Sequence, residues 1–297
     1  MKILLLVLLA FSYSYSFKIE DGFNIYKYRP PYIIKSKLEK NTNLYLFGTS
    51  HTDGTKHSKG IKNPVYQSIE KLLQIYDIDY IIIEGIAHIP RVVKGYIKRG
   101  IKECTLDKKV CHQEQSYMVS VALSKDSSIV IQGGEPTYAE QLEYFKRHNY
   151  NIKDLIGVWT LKKARKGISI KAFKRKLESV RKSFVKVNQN KKIKFSYIDF
   201  KEWYRDKIGK KFTIKSSDIQ IDSRKYYNPY DKNDANSIKK INSYFLNHGI
   251  RDISLVKEID KAVRAGYKNI VVLYGSSHIR NIYKIYSNKN SYFMKWY

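Results

Sequence analysis

The chain alternates short, wholly apolar runs with longer stretches in which apolar residues recur every three or four positions. Leu44-Tyr45-Leu46-Phe47 is apolar throughout and stops at Gly48, which predicts a short strand buried on both faces. Tyr80-Ile81-Ile82-Ile83 predicts a second strand ending at Glu84-Gly85, and Ser127 to Ile131 a third ending at Gly133-Gly134-Glu135-Pro136. Asn269 to Tyr274 predicts another, ending at Gly275. Helical spacing lies between them, from Pro64 to Leu73 with the proline suited to a first turn, and again from Ile253 to Ala265. Continuous apolar strands separated by helices imply an α/β fold, a mostly parallel central sheet flanked by helices. Ligands of such sheets gather at the carboxyl ends of the strands. His51, Glu84, Glu135 and His278 each follow one of these strands and are therefore expected on a single rim.

Residues 162–194 break the alternation. Fourteen lysines and arginines stand there beside one acid, Glu178, while Phe173, Leu177, Val180, Phe184 and Val187 recur at 4-3-4-3 spacing. This predicts a basic helical insertion with one apolar stripe, either a surface helix packed on the core or a docking helix for anionic membrane or polyanion. Residues 201–240 are rich in Tyr, Asp and Asn without clear periodicity, as in an irregular excursion, and no repeat of solenoid period is present.

The N-terminus sets an expected location. Lys2, the apolar run Ile3 to Phe11 and the Ser12–Ser16 segment have the pattern of a signal peptide over residues 1–16, cleaved after Ser16. The run is too short to cross a bilayer, which takes about 20 residues. The chain is thus expected to be secreted or periplasmic, with residues 17–297 forming one α/β domain. An oxidising compartment also suits Cys104 and Cys111, the two cysteines, as a disulfide closing a small loop. The 297 residues, 43% of them hydrophobic, supply enough apolar surface for a substantial core. Lysine and arginine number 56 against 27 acids, a formal charge of +29 that favours anionic surfaces without choosing among them. An AT-rich genome also enriches Lys, Ile, Asn and Tyr, and accounts for part of that excess.

Two histidines and a carboxylate at strand ends make a plausible ligand set for a divalent metal with open positions for water and substrate. His51, Glu84 and His278 are the candidate ligands, and Glu135 is the candidate general base or fourth ligand. Manganese, cobalt and zinc all suit such a set. A lysine-bearing phosphate loop and a Gly-x-Ser-x-Gly elbow are both missing, so nucleotide hydrolysis and serine-hydrolase chemistry have no support.

Leu46-Phe47-Gly48-Thr49-Ser50-His51, Ile83-Glu84-Gly85 and Leu273-Tyr274-Gly275-Ser276-Ser277-His278 occur in that order, with Arg251-Asp252 opening a helix between the last two. In this the chain resembles the superfamily of Tiki-type metalloproteases, TraB/PrgY pheromone-shutdown proteins, erythromycin esterases and ChaN haem-binding lipoproteins. The resemblance implies metal-binding roles for His51, Glu84 and His278, and a substrate-carboxylate or oxyanion role for Arg251. Thr49 departs from the erythromycin esterases, which carry glutamate directly after the first glycine, and this sets their esterase mechanism apart from this chain.

The expectation that follows is an exported metal-dependent hydrolase cleaving a peptide or ester bond. Two alternatives stand beside it: a non-catalytic haem- or iron-binding exported protein, and a secreted effector that binds anionic membrane or polyanion through 162–194. No specific nucleic-acid recognition is expected.

Overall fold

A computed structural model of the chain describes residues 14–20, 23–50, 63–104, 111, 113–164, 168–188, 193–209, 211–214, 249–287 and 290–296. The apolar leader run, His51, His57 and most of 201–240 lie outside the described residues. Within them the chain divides into two compact units, one formed by Met1–Glu135 with Val256–Tyr297 and the other by Pro136–Leu255. The second unit is thus inserted in the sequence directly after Glu135, and the basic stretch 162–194 is part of it. No helix among the described residues is long and apolar enough to cross a membrane.

The first unit is built on seven strands: β1 (Ser14–Lys18), β2 (Tyr32–Lys37), β3 (Asn43–Thr49), β4 (Tyr80–Ala87), β5 (Val130–Glu135), β6 (Asn269–Gly275) and β7 (Tyr292–Trp296). They form one sheet in the order β1-β7-β2-β3-β6-β4-β5. β3, β6, β4 and β5 pair in parallel, while β2 joins β3, β7 joins β2 and β1 joins β7 antiparallel. Five of the seven strands consequently run in one direction, the mostly parallel α/β sheet that the apolar runs predict. The expected leader cleavage after Ser16 falls inside β1, an edge strand, so trimming there would leave the ladder between β7 and β2 in place.

Both faces of the sheet are covered. Tyr45, Phe47, Ile81, Ile83, Val271 and Leu273 share one core with residues of α1 (Pro64–Ile75), α2 (Pro90–Glu103) and α3 (Glu114–Lys125). The alternate positions Leu44, Leu46, Ile82, Ile270 and Val272 are just as buried, and α9 (Ser276–Tyr286) packs on β3 and β6. That double burial is why these strands read as unbroken apolar runs rather than alternating ones. The Cys104–Cys111 disulfide forms, with Cα atoms 4.5 Å apart, and leads the chain from the end of α2 toward α3.

The second unit is helical, with α4 (Tyr138–Arg147), α5 (Ile152–Lys163), α6 (Ile170–Asn188), α7 (Tyr197–Ile208) and the start of α8 (Gly249–Arg264). Three of these helices begin with capping boxes, Thr137 with Glu140, Asn151 with Asp154 and Ser196 with Asp199, which satisfy orphan amide donors of the first turn. Phe145, Phe173, Phe184, Phe200, Trp203 and Phe212 share their core. The predicted stripe of α6 is part of it: Phe173, Leu177, Val180 and Phe184 are all buried. At about 1.5–3 kcal/mol for each such side chain, that stripe is committed to the protein interior.

Candidate active site

The strand ends converge as the apolar runs imply, with one refinement. Glu84 does not follow β4 but lies within it. The strand runs on to Ala87, and its register against β5 shifts between Ile83 and Ala87. Gly85, at φ 83°, allows this irregularity because it has no Cβ to clash in the left-handed region. The bulged strand turns the Glu84 side chain toward the end of β6, where its Oε2 accepts from the Gly275 backbone N–H at 2.5 Å. Gly275 is the residue before α9, so the carboxylate sits at the positive end of that helix.

His278 occupies the first turn of α9 and is buried. Its Nε2 lies 3.7 Å from Glu84 Oε1, with both side chains less than a tenth exposed. Tyr274 meets the imidazole edge-on, ring centroids 5.7 Å apart at 78°. Tyr274 in turn packs so closely on Gly134 that a Cβ there would come within 2.3 Å of its hydroxyl. Gly134, the penultimate residue of β5, therefore makes room for the ring that borders His278.

Glu114, which no strand-end pattern singled out, completes the buried constellation. It opens α3, is buried, and accepts from Thr49 Oγ1 at 2.9 Å. Thr49 Oγ1 also lies 3.5 Å from the Tyr274 carbonyl. The peptide group joining Tyr274 to Gly275 thus faces the Thr49 hydroxyl with its C=O and donates to Glu84 with its N–H. Two buried carboxylates, from helix α3 and strand β4, meet the same register pair of β3 and β6, Thr49 opposite Gly275. Thr49 thus binds a glutamate supplied from elsewhere in the chain.

The remaining predicted residues fall as follows. Glu135 ends β5, and its Oε1 accepts from Gly85 N at 3.2 Å while its carbonyl meets His88 N and Nδ1 at 3.2 and 3.0 Å. It thereby holds the β4 bulge beside Glu84. Arg251 stands in the first turn of α8, in the second unit. His51 follows β3 by two residues and lies outside the described residues. Among the described residues, no three His, Cys, Asp or Glu side chains group as a metal site. Glu84 and His278 nonetheless have suitable chemistry. A separation of 3.7 Å is too long for a hydrogen bond. It is near the roughly 3.4 Å between two donors that share one tetrahedral ion at about 2.1 Å each.

No protein-family model, curated protein or solved structure matches the chain. The local chemistry therefore has to carry any functional assignment.

Proposed function

We propose that the chain is an exported metal-dependent hydrolase of the Tiki/TraB/erythromycin esterase-like superfamily, acting on a peptide or ester bond. The observation that supports this most is the buried Glu84–His278 pair at the carboxyl ends of parallel strands. In this proposal His51 completes the ligand set, and β3 brings the chain to that rim two residues earlier. Glu84, His278 and His51 would hold a divalent ion, which when bound would supply Lewis acidity to a scissile carbonyl and lower the pKa of a bound water. The protein's part is preorganisation. Gly275 N–H fixes one oxygen of Glu84, Tyr274 borders the imidazole, and burial keeps competing water from both donors. Glu135 is assigned to water activation, on its position at the end of β5.

Metal binding is the test, because it does not depend on knowing the substrate. Chelator-stripped protein should take up a single manganese, cobalt or zinc ion per chain, read by calorimetric titration and elemental analysis. Glu84→Gln and His278→Ala should each weaken that affinity by tenfold or more, with unchanged far-UV circular dichroism. A wild-type chain that binds none of the three ions at micromolar concentration overturns the proposal. So does haemin uptake with a shifted Soret band at the same residues, which would favour a binding protein instead.

A further inference from the structure

Helix α6 carries seven lysines and arginines and one acid. Its apolar stripe of Phe173, Leu177, Val180 and Phe184 faces the interior of its own unit. At 100° per residue, Lys171, Arg175, Lys182 and Lys186 fall on the side directly opposite that stripe, and all four are exposed. They form a row about 22 Å long at 1.5 Å per residue. Glu178, near the middle of the row, is held by Arg181 through two bonds of 2.7 and 2.8 Å and lies 3.7 Å from Lys182. Its charge is thus largely spent within the helix. More cations flank the row: Lys174 and Lys201 share the Tyr197 ring at 5.0 and 5.5 Å. Burial and the nearby Lys176 hold the Lys163 ammonium below its ordinary pKa.

This arrangement discriminates among anionic partners. A helix that lies in a membrane interface inserts its apolar face, and here that face is already buried in the protein. Among the described side chains of α6, Ile170 at its first position is the large apolar one that is exposed. Single-stranded nucleic acid is held by aromatic stacking as well as charge, and the outward row holds lysine, arginine and serine with no ring. A straight line of cations interspersed with Ser179 and Ser183 instead matches a linear polymer with regularly placed strong anions and sugar hydroxyls. The disulfide is compatible with an oxidising compartment, the kind of setting in which such polymers occur. We infer that the outward face of α6 is a docking surface for a sulfated polysaccharide chain. This surface belongs to the second unit, and the inference does not depend on the function proposed for Glu84 and His278.

Heparin is the probe. The full chain is compared with a row variant, Lys171→Gln/Arg175→Gln/Lys182→Gln/Lys186→Gln, and with a control that removes equal charge from exposed positions of the first unit, Lys94→Gln/Lys98→Gln/Lys257→Gln/Lys284→Gln. Binding to a labelled heparin oligosaccharide should fall about tenfold or more in the row variant and less than threefold in the control, at physiological ionic strength where distant charges are screened. Replacing the three row lysines by arginine should retain binding, and Glu84→Gln should leave it unchanged. Equal losses in row variant and control would reduce the effect to overall charge and overturn the inference. Tighter binding to phosphatidylserine vesicles or to an oligothymidine than to heparin would overturn it as well.

Discussion

The two units handle polarity in opposite ways. The sheet unit buries Glu84, Glu114, Glu258 and His278, together with a series of tyrosines whose hydroxyls find partners inside. Tyr66 donates to the Cys111 carbonyl, Tyr117 to Glu70, and Tyr286 to Asp260. Among the described residues, the helical unit fills its core with apolar side chains rich in phenylalanine, keeps its cations outside the core, and buries Asp154 as its one acid. Even Asp154 has a structural task, capping α5 and binding Trp203 Nε1 at 2.9 Å and Lys207 Nζ at 3.1 Å. Interior polar groups are costly unless they are paired, so the grouping of Glu84, Glu114 and His278 where β3, β4 and β6 end marks where chemistry is to be sought. The other unit's surface charge marks recognition.

Alkali should separate the two units most strongly. Burial, and then the Glu114 carboxylate, push Tyr66 up to about 12. Burial likewise raises Tyr32, Tyr45, Tyr80, Tyr117 and Tyr286 above the ordinary tyrosine value. Folded values above unfolded ones contribute stability that is whole below about pH 10 and is lost as pH climbs through the folded values. Phenolate absorbance and near-UV dichroism of the sheet unit should therefore hold to about pH 10 and change as pH climbs through 12, with a smaller change from the helical unit, where burial raises Tyr138. Loss of both signals together at one pH would break the contrast.

Core truncation in the helical unit comes next. Phe173→Ala should cost about 3–5 kcal/mol in denaturant titrations, since the ring is fully buried among Phe200, Phe212 and Tyr197. Removing the cross-link with Cys104→Ser/Cys111→Ser should cost the sheet unit about 2–3 kcal/mol, from the entropy of a short closed loop. Thr49→Val keeps the shape but withdraws the donor from the buried Glu114, at about 1–3 kcal/mol. The double variant Thr49→Val/Glu114→Leu should recover part of that loss. If it does not, the pair has no special coupling. The smallest effect is expected at a cap: Ser196→Ala should cost about 1 kcal/mol. Hydrogen bonding to Ser196 holds Asp199 below the ordinary carboxylate range. The carboxylate's part of that box therefore contributes above about pH 4 and fades as pH falls through the lowered value, so Asp199→Asn should remove that acid dependence.

Much of the architecture was legible along the chain because its signals are local. Unbroken apolar runs predicted β3, β4 and β6, which pair in parallel with both faces buried, whereas the third run, expected over 127–131, forms the edge strand β5 three residues later and takes in Gly133 to Glu135. Pro64 opens α1, the two cysteines bond, and the 4-3-4 stripe of α6 faces inward over its described length. Periodicity determines which face of an element is apolar, and a parallel sheet then brings its strand ends to one side. What only the tertiary structure decided is which polar atoms meet there. Glu84 reaches a backbone amide 191 residues away, and Thr49 a carboxylate 65 residues away that opens a helix like many other glutamates. No local pattern distinguishes Glu114 from a solvated helix-start acid, because its burial is set by the sheet that closes over it. The docking row on α6 has the same origin. Its charges are written in the sequence, but whether its apolar stripe faced a membrane or a core was settled by packing.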